Sequence, residues 1–393
     1  MKVYLDYSAT GPVKKEVLDA MLPYLQNNFG NPSSIHEWGR SARSAIDEAR
    51  IQVANFLNAE ASEIIFTSGG TEADNLAVKG MVLPFIYQGK GKPHLIVSQI
   101  EHHAVLNSAK TLEKSGAEVT YIKPNADGII EIDDVKKAIK ENTILVSVMY
   151  VNNEIGTINP IREIGKMLEK QNQARSQKIY FHTDAVQAAE YQNMNVDYLH
   201  VDLLTISGHK IGAPKGIGCL YVKKGTPVMA MMHGGEHELG KRSGTENVAG
   251  IVALGKAVEL IQKSDTKIQE IRDYFIDRVL KEIPESELNG SREFRSPNNV
   301  NIYFKYVEGE SILLNLDLVG IAASSGSACT SVSLKPSHVI MAVCSDAERA
   351  HGSIRFTLGY DTTEKEIDYT MENLIKIIAK LRKISPLSPK EYK

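Results

Sequence analysis

Cysteine is scarce in this chain. Cys219, Cys329 and Cys344 are an odd number without C-x-x-C spacing, a pattern that fits neither a disulfide framework nor a zinc site. A reducing, cytoplasmic compartment is therefore expected. A cationic surplus is missing as well: Lys plus Arg is 45 against 48 for Asp plus Glu, a formal net charge of −3, so little is available to neutralise a phosphate backbone and nucleic acid is not an expected partner. Long apolar runs are absent too. The longest, Thr143 to Val151, falls well short of the ~20 residues of a membrane span, and Asp6 already charges the start of the chain, so neither membrane insertion nor a signal peptide is expected. What the chain does have is length. Its 393 residues, at roughly 100–200 residues per domain, suffice for two or three domains whose cores need no disulfide or metal.

Between residues 60 and 222, short β-rich runs alternate with helical stretches: Ile64–Thr67, Leu95–Ser98, Glu118–Ile122, Ile144–Met149, Lys178–Phe181, Leu203–Ile206 and Ile217–Val222. This rhythm predicts an α/β domain with a mostly parallel sheet. Upstream, Ala42, Ala45, Ile46, Ala49, Val53, Phe56 and Leu57 recur at helical spacing, and Asn31–Ser34 marks the entrance to that helix. Downstream, apolar residues from Leu254 to Val279 trace one long helical stripe that Pro284 stops, leading into a second lobe. That lobe has strands at Val300–Phe304 and Ser353–Leu358 and a last helix opened by the capping box Thr363-x-x-Glu366, which reads as α+β.

In open α/β sheets the ligand crevice lies beyond the carboxyl ends of the strands. Five strands deliver polar groups there: Ser68-Gly69-Gly70-Thr71, Glu101-His102-His103, Asn152-Asn153-Glu154, His182-Thr183-Asp184 and Ser207-Gly208-His209-Lys210. The first runs from a strand into a helix start, where free N–H groups and the helix dipole favour a phosphate; the same residues also suit an ordinary glycine turn with a Thr cap. Neither a P-loop nor a strand-linked G-x-G-x-x-G is present. Lys210 is placed to act as a Schiff-base nucleophile or is a solvated loop lysine. Asp184 changes that balance, because a pyridinium nitrogen needs a carboxylate partner. Lysine, carboxylate and phosphate cradle together describe pyridoxal phosphate. His182 and Asp184 also read as two metal ligands, though no third of suitable spacing joins them. Of the adjacent His102 and His103, an extended backbone turns only one toward the crevice.

The thiols differ in setting. Cys219 lies within an apolar strand and Cys344 on a helix, so both read as small buried hydrophobes. Cys329 sits in Ser324–Ser331, a run of small residues that reads as an accessible, mobile loop, where a thiol is either a nucleophile or an unreactive loop residue.

Taken together, these segments resemble the cysteine desulfurases of the NifS/IscS type, fold-type I pyridoxal phosphate enzymes of the class V aminotransferase family. The resemblance runs from LDYSAT at Leu5–Thr10 to SIRFTLG at Ser353–Gly359. Its most specific stretches are Phe66–Ala77, Val151–Thr157, Ser207–Gly218, Arg242–Asn247 and Ser324–Ser331, the last marking the long-loop group. It implies a large α/β domain, 16–254, with a mostly parallel sheet covered by helices, and a smaller α+β domain, 1–15 with 255–393, carrying the catalytic-cysteine loop. It also implies that pyridoxal 5'-phosphate is bound covalently by Lys210, paired at its ring nitrogen by Asp184 and contacted by Gln187 and Asn153. Gly70, Thr71, Ser207 and His209 would hold the phosphate, joined by the partner subunit's Thr245 in a homodimer. His102 would stack on the ring and move protons, Arg355 would clamp the substrate carboxylate, and Cys329 would attack the sulfur of L-cysteine. The products would be L-alanine and a persulfide for an iron–sulfur scaffold or another acceptor protein. No metal is implied. An aminotransferase, a selenocysteine lyase or a silent scaffold would share many of these residues; Cys329 speaks against the first more than the second, and Lys210, Asp184, His102 and Cys329 against the last. Three positions depart from the family's commonest pattern: Gly11 stands for Thr, Gly70 for Ala, and Glu236 interrupts a run of small residues and histidine near the dimer contact.

Overall fold

The apolar runs read from the sequence become strands, with their ends adjusted by hydrogen bonding. In the computed structural model, which describes residues 1–89, 91–261, 266–326 and 336–392, they are β1 (Val3–Tyr4), β2 (Ile64–Thr67), β3 (His94–Ser98), β4 (Glu118–Ile122), β5 (Thr143–Ser147), β6 (Tyr180–Asp184), β7 (Leu203–Ser207), β8 (Gly218–Val222), β9 (Ser286–Leu288), β10 (Asn299–Phe304), β11 (Ile321–Ala322) and β12 (Ser353–Thr357). Strands β2 to β8 form one sheet in the order β2-β8-β7-β6-β5-β3-β4. Only β8 is antiparallel to its neighbours, β2 and β7. It follows β7 without a long crossover helix, which an antiparallel pair permits and a parallel pair does not.

Helices cover both faces of this sheet, so β2, β3, β5, β7 and β8 are buried along their whole length. Alternation sorts their side chains between two cores. Phe66, Leu204, Ile206, Cys219 and Tyr221 join the core that includes the helices Glu37–Leu57 and Val248–Glu259. Ile65, Leu203, Leu220 and Val222 join the one that includes Gly70–Tyr87 and His103–Lys114. The helix Glu37–Leu57 starts three residues beyond Asn31–Ser34, and the imidazole of His36 caps it by accepting from Gly39 N–H.

A third core, containing Ile268, Phe275, Val300, Phe356 and Leu374, belongs to the antiparallel sheet β12-β10-β9 and to the helices Thr266–Glu282 and Glu364–Ile384. The expected capping box at Thr363 and Glu366 opens the last helix. β1 pairs in parallel with β11, which ties the N-terminus to this unit.

Two expectations about elements are corrected. The apolar stripe from Leu254 to Val279 is not one helix: Val248–Glu259 and Thr266–Glu282 are separate, and residues 262–265 lie outside the described chain. The halves of the stripe serve different cores, Leu254 and Val258 the large sheet, Ile268 and Phe275 the small one. Likewise His182, Thr183 and Asp184 do not follow a strand but end β6, because their backbones continue the ladder with β7 opposite Leu203, Leu204 and Thr205. Among the described residues, no helix is long and apolar enough to cross a membrane.

Candidate active site

The carboxyl ends of β2, β3, β5, β6 and β7 open on a cavity of about 520 Å³. Gly70, Thr71, His102, Asn153, Asp184, Gln187, Ser207, His209, Lys210 and Arg355 all line it. Thr245 does not: it is exposed at another place on the same chain. Cys329 lies outside the described residues, and Gly326, three positions before it, lines the cavity.

At one end of the cavity the helix Gly70–Tyr87 begins with no side-chain cap, so the amides of its first turn lack the partners that a cap supplies. Gly69 precedes it at φ 153°, a backbone conformation that suits glycine. A Cβ on Gly70 would sit 3.0 Å from Val186 Cγ2 and 3.4 Å from Ser207 Cβ. The frequent family alanine is therefore a tight fit here, and glycine keeps this edge open. Ser207, the last residue of β7, is buried beside this turn, and His209 Nδ1 lies 3.2 Å from Thr10 Oγ1.

Lys210 follows in a short 3₁₀ turn after β7, and its Nζ donates to the carbonyl oxygens of Ser8 and Ala9, the latter at 2.8 Å. Across the cavity Asp184 is buried at the end of β6, where Val186 N–H donates to its Oδ1 at 2.9 Å. Burial pushes the Asp184 carboxyl up to about 6, and the Val186 N–H and the charge of Lys210 hold it from rising further. Beneath it, Asp74 is pushed well above the usual carboxylate range, by burial first and then by the charge of Asp184. Of two such close carboxyls one keeps its proton, which leaves the other able to ionise.

The histidine pair departs from expectation, since both rings line the cavity. His102 is the N-cap of the helix His103–Lys114 rather than part of a strand, and its Nδ1 accepts from Ala104 N–H at 3.2 Å. The backbone turns between the two residues, so alternation does not apply. Burial, followed by the charges of Lys210, His103 and His338, lowers His102 to about 4. It is neutral at pH 7, with its proton on Nε2 because Nδ1 is an acceptor. His182, the other half of the metal reading, places Nδ1 2.9 Å from Ser147 Oγ and Nε2 3.2 Å from Thr205 Oγ1, so both nitrogens bind hydroxyls of the sheet.

Arg355 reaches the cavity from β12 and is 2 % exposed. Nη1 donates to Asn153 O and Nη2 to Asp6 Oδ1, each at 2.9 Å, while Nε has no partner among the described residues. Its backbone also pairs with Ser324, at the base of the segment that leads to Cys329. Cys344 is corrected: the thiol is exposed, not buried. It ends the helix His338–Cys344, which Ser345 terminates in the left-handed conformation at φ 57°. Cys219 is fully buried, and burial pushes its thiol up to about 12.

Several groups at the site gave little sign of themselves in the sequence. The carbonyls of Ser8 and Ala9 carry no side-chain signature, and Ser337-His338 reads as an ordinary helix cap. Yet the His338 ring packs against His103 at 4.6 Å, and its Nε2 lies 2.9 Å from Glu101 O.

The site and fold together match known proteins. The aminotransferase class-V family model matches residues 3–370. Cysteine desulfurase IscS of Dictyoglomus turgidum is 54 % identical over 389 residues, covering 98 % of this chain and 96 % of its own. The cysteine desulfurase IscS of Methanosarcina thermophila is 51 % identical, covering 100 % of this chain and 95 % of its own. Among solved structures, a NifS-like protein superposes with TM-score 0.88 at 32 % identity, over 97 % of this chain and all of its own. SspA in complex with cysteine superposes with TM-score 0.81 at 37 % identity, over 91 % of this chain and 99 % of its own. The chain belongs to the class-V aminotransferase family and, within it, to the cysteine desulfurases of the NifS/IscS type.

Pyridoxal 5'-phosphate is the cofactor of this family, and the cavity fits it. An uncapped helix start suits a phosphate, a buried carboxyl that still ionises at about 6 suits a protonated ring nitrogen, and a lysine lines the same space.

Proposed function

We propose that this chain takes sulfur from L-cysteine, releases L-alanine and holds the sulfur as a persulfide on Cys329. The observation that supports this reading is the convergence, on one cavity, of an anion-binding helix start, Lys210, Asp184 and the partly unmet guanidinium of Arg355. Bound there, pyridoxal 5'-phosphate would supply an aldehyde for amine chemistry and an electron sink for loss of the α proton.

The residues divide the work. Lys210 Nζ would hold the cofactor covalently through its amine. The amides at Gly70 and Thr71, with Ser207, His209 and the partner subunit's Thr245, would take the phosphate. Asp184 would pair with the ring nitrogen, while Gln187 and Asn153 would contact the ring oxygen or the substrate. Arg355 clamps the substrate carboxylate with its planar fork. Neutral His102, with its proton on Nε2, lines the site and would move protons to and from the substrate. The Cys329 thiolate then attacks the substrate sulfur. The new S–S bond forms as the C–S bond breaks, the electron pair stays with the substrate carbon, and a proton completes alanine, so no outside oxidant or reductant is required.

In this reading residues 16–254 carry the cofactor, residues 1–15 with 255–393 carry the thiol, and two copies of the chain complete the site. The persulfide then passes to an iron–sulfur scaffold or another acceptor protein in the cytoplasm. Alanine and sulfide release from L-cysteine tests the reaction: both should vanish in Cys329→Ser. Formation of a keto acid from L-cysteine instead would assign transamination.

A further inference from the structure

We propose that Glu154 is a positioning residue for the desulfuration step, a single carboxylate that hydrogen-bonds one flank of the segment bearing Cys329 and abuts the other. This rests on the reading of Cys329 as the nucleophile. Glu154 follows Asn153 in the turn after β5, is 2 % exposed, and is held by its own backbone: its N–H donates to Asn152 Oδ1 at 3.0 Å, and its carbonyl accepts from Asn299 Nδ2 at 3.1 Å and Asn301 Nδ2 at 2.9 Å. The two asparagines come from β10, so the turn is clamped between the large sheet and the small one.

The side chain is thereby presented at a fixed place. On one flank Ser337 Oγ donates to Glu154 Oε2 at 2.5 Å, and the same hydroxyl accepts from Ile340 N–H at 3.2 Å as the cap of the helix His338–Cys344. On the other flank Gly326 packs so closely on Oε2 that a Cβ there would collide with it. The second oxygen, Oε1, lies 4.0 Å from His338 Nδ1, the ring that packs on His103 at the cavity wall. Residues 326 and 337 bracket Cys329 in the chain and meet at one oxygen atom of one buried side chain. Burying a carboxyl is costly unless its oxygens are used. Here one oxygen receives a flank of the segment and leaves room for the other only because residue 326 is glycine.

The consequence is a specific kinetic signature. Glu154 lines the cavity wall, but among the described residues its carboxyl bonds Ser337 and faces His338 rather than Lys210, Asp184, Ser207, His209 or Arg355, so losing it should leave cofactor and substrate binding in place and slow the step that needs Cys329. Glu154→Ala should bind cofactor with the wild-type spectrum and respond to L-cysteine at the wild-type rate and half-saturation. Its kcat for alanine should fall about tenfold or more, the weight of one charge-assisted hydrogen bond in orienting a reacting group. Glu154→Gln, which keeps an acceptor for Ser337, should recover most of that loss. Gly326→Ala leaves the carboxyl in place but crowds it, and should lower kcat alone. In the Glu154→Ala background the added methyl should cost little more, because the oxygen it strikes is gone.

Unchanged kcat in Glu154→Ala, or losses that simply add in the double variant, would overturn the proposal. If Glu154→Ala does not accumulate as folded protein, Gly326→Ala carries the test, and a wild-type kcat there overturns it equally. The underlying reading fails separately: alanine formation at the wild-type rate in Cys329→Ser would remove the nucleophile itself, whereas loss of activity in Cys329→Ser beside full activity in Glu154→Ala would refute only the role of Glu154.

Discussion

Replacing Arg355 by lysine keeps the positive charge and removes the planar fork, which makes it a direct test of how the substrate carboxylate is held. The guanidinium is 2 % exposed, and two of its nitrogens are committed, Nη1 to Asn153 O and Nη2 to Asp6 Oδ1, both at 2.9 Å. That grip leaves the Nε edge, unmet among the described residues, to complete a two-point contact with a carboxylate. A lysine ammonium can replace one or two of these contacts but cannot hold the geometry of the rest. Losing one charge-assisted hydrogen bond costs about 1.5–3 kcal/mol, which corresponds to a roughly 10- to 150-fold rise in half-saturating L-cysteine. Cofactor attachment should be untouched, because Lys210 is held by Ser8 and Ala9 carbonyls and Asp184 by Val186 N–H. Titration of the cofactor absorbance with L-cysteine measures both quantities in one experiment. Half-saturation within twofold of the wild type, with the spectrum intact, would show that the carboxylate binds elsewhere.

Lys210→Ala should bind cofactor only noncovalently, and borohydride reduction of the wild type followed by peptide mapping should label Lys210; a label on Lys215 or Lys223 would refute the assignment. Cys329→Ser should respond spectrally to L-cysteine yet release almost no alanine, whereas Cys219→Ser and Cys344→Ser should turn over. Because Cys344 is exposed, mass spectrometry after cysteine addition is the deciding measurement, and extra sulfur found only on the Cys344 peptide would overturn the loop assignment. Glu101 tests the buried carboxyls of the site: burial pushes its carboxyl up to about 8, although Ser98 Oγ and Met149 N–H both donate to it. The folded state thus keeps a proton that the unfolded chain releases above its ordinary 4.5. This group's contribution to stability is complete at low pH and is lost as pH rises from about 4.5 to about 8, by a few kcal/mol at ~1.4 kcal/mol per unit. Glu101→Gln should flatten the melting temperature over that window, and an unchanged slope would show that Glu101 titrates normally.

Much of this was legible in the chain itself. Apolar runs such as Ile64–Thr67 and Glu118–Ile122 became strands with the same ends, and the capping box at Thr363 opened a helix as the pairing of its groups requires. The polar residues after the strands could be read as a site because parallel strands point their carboxyl ends one way, so residues far apart in sequence share one edge. Local pattern states that a face must be buried, but not against what. For that reason the stripe from Leu254 to Val279 looked continuous until two different cores claimed its halves, and Cys344 looked buried although its helix ends with the thiol exposed. The adjacent histidines belong to the same class, since a helix cap rather than an extended strand brings both rings to the cavity. Only the tertiary structure could bring Arg355 from the small sheet to Asn153 and Asp6, or set Gly326 and Ser337 on one oxygen of Glu154. These contacts join residues up to hundreds of positions apart through single hydrogen bonds, and no periodicity records them.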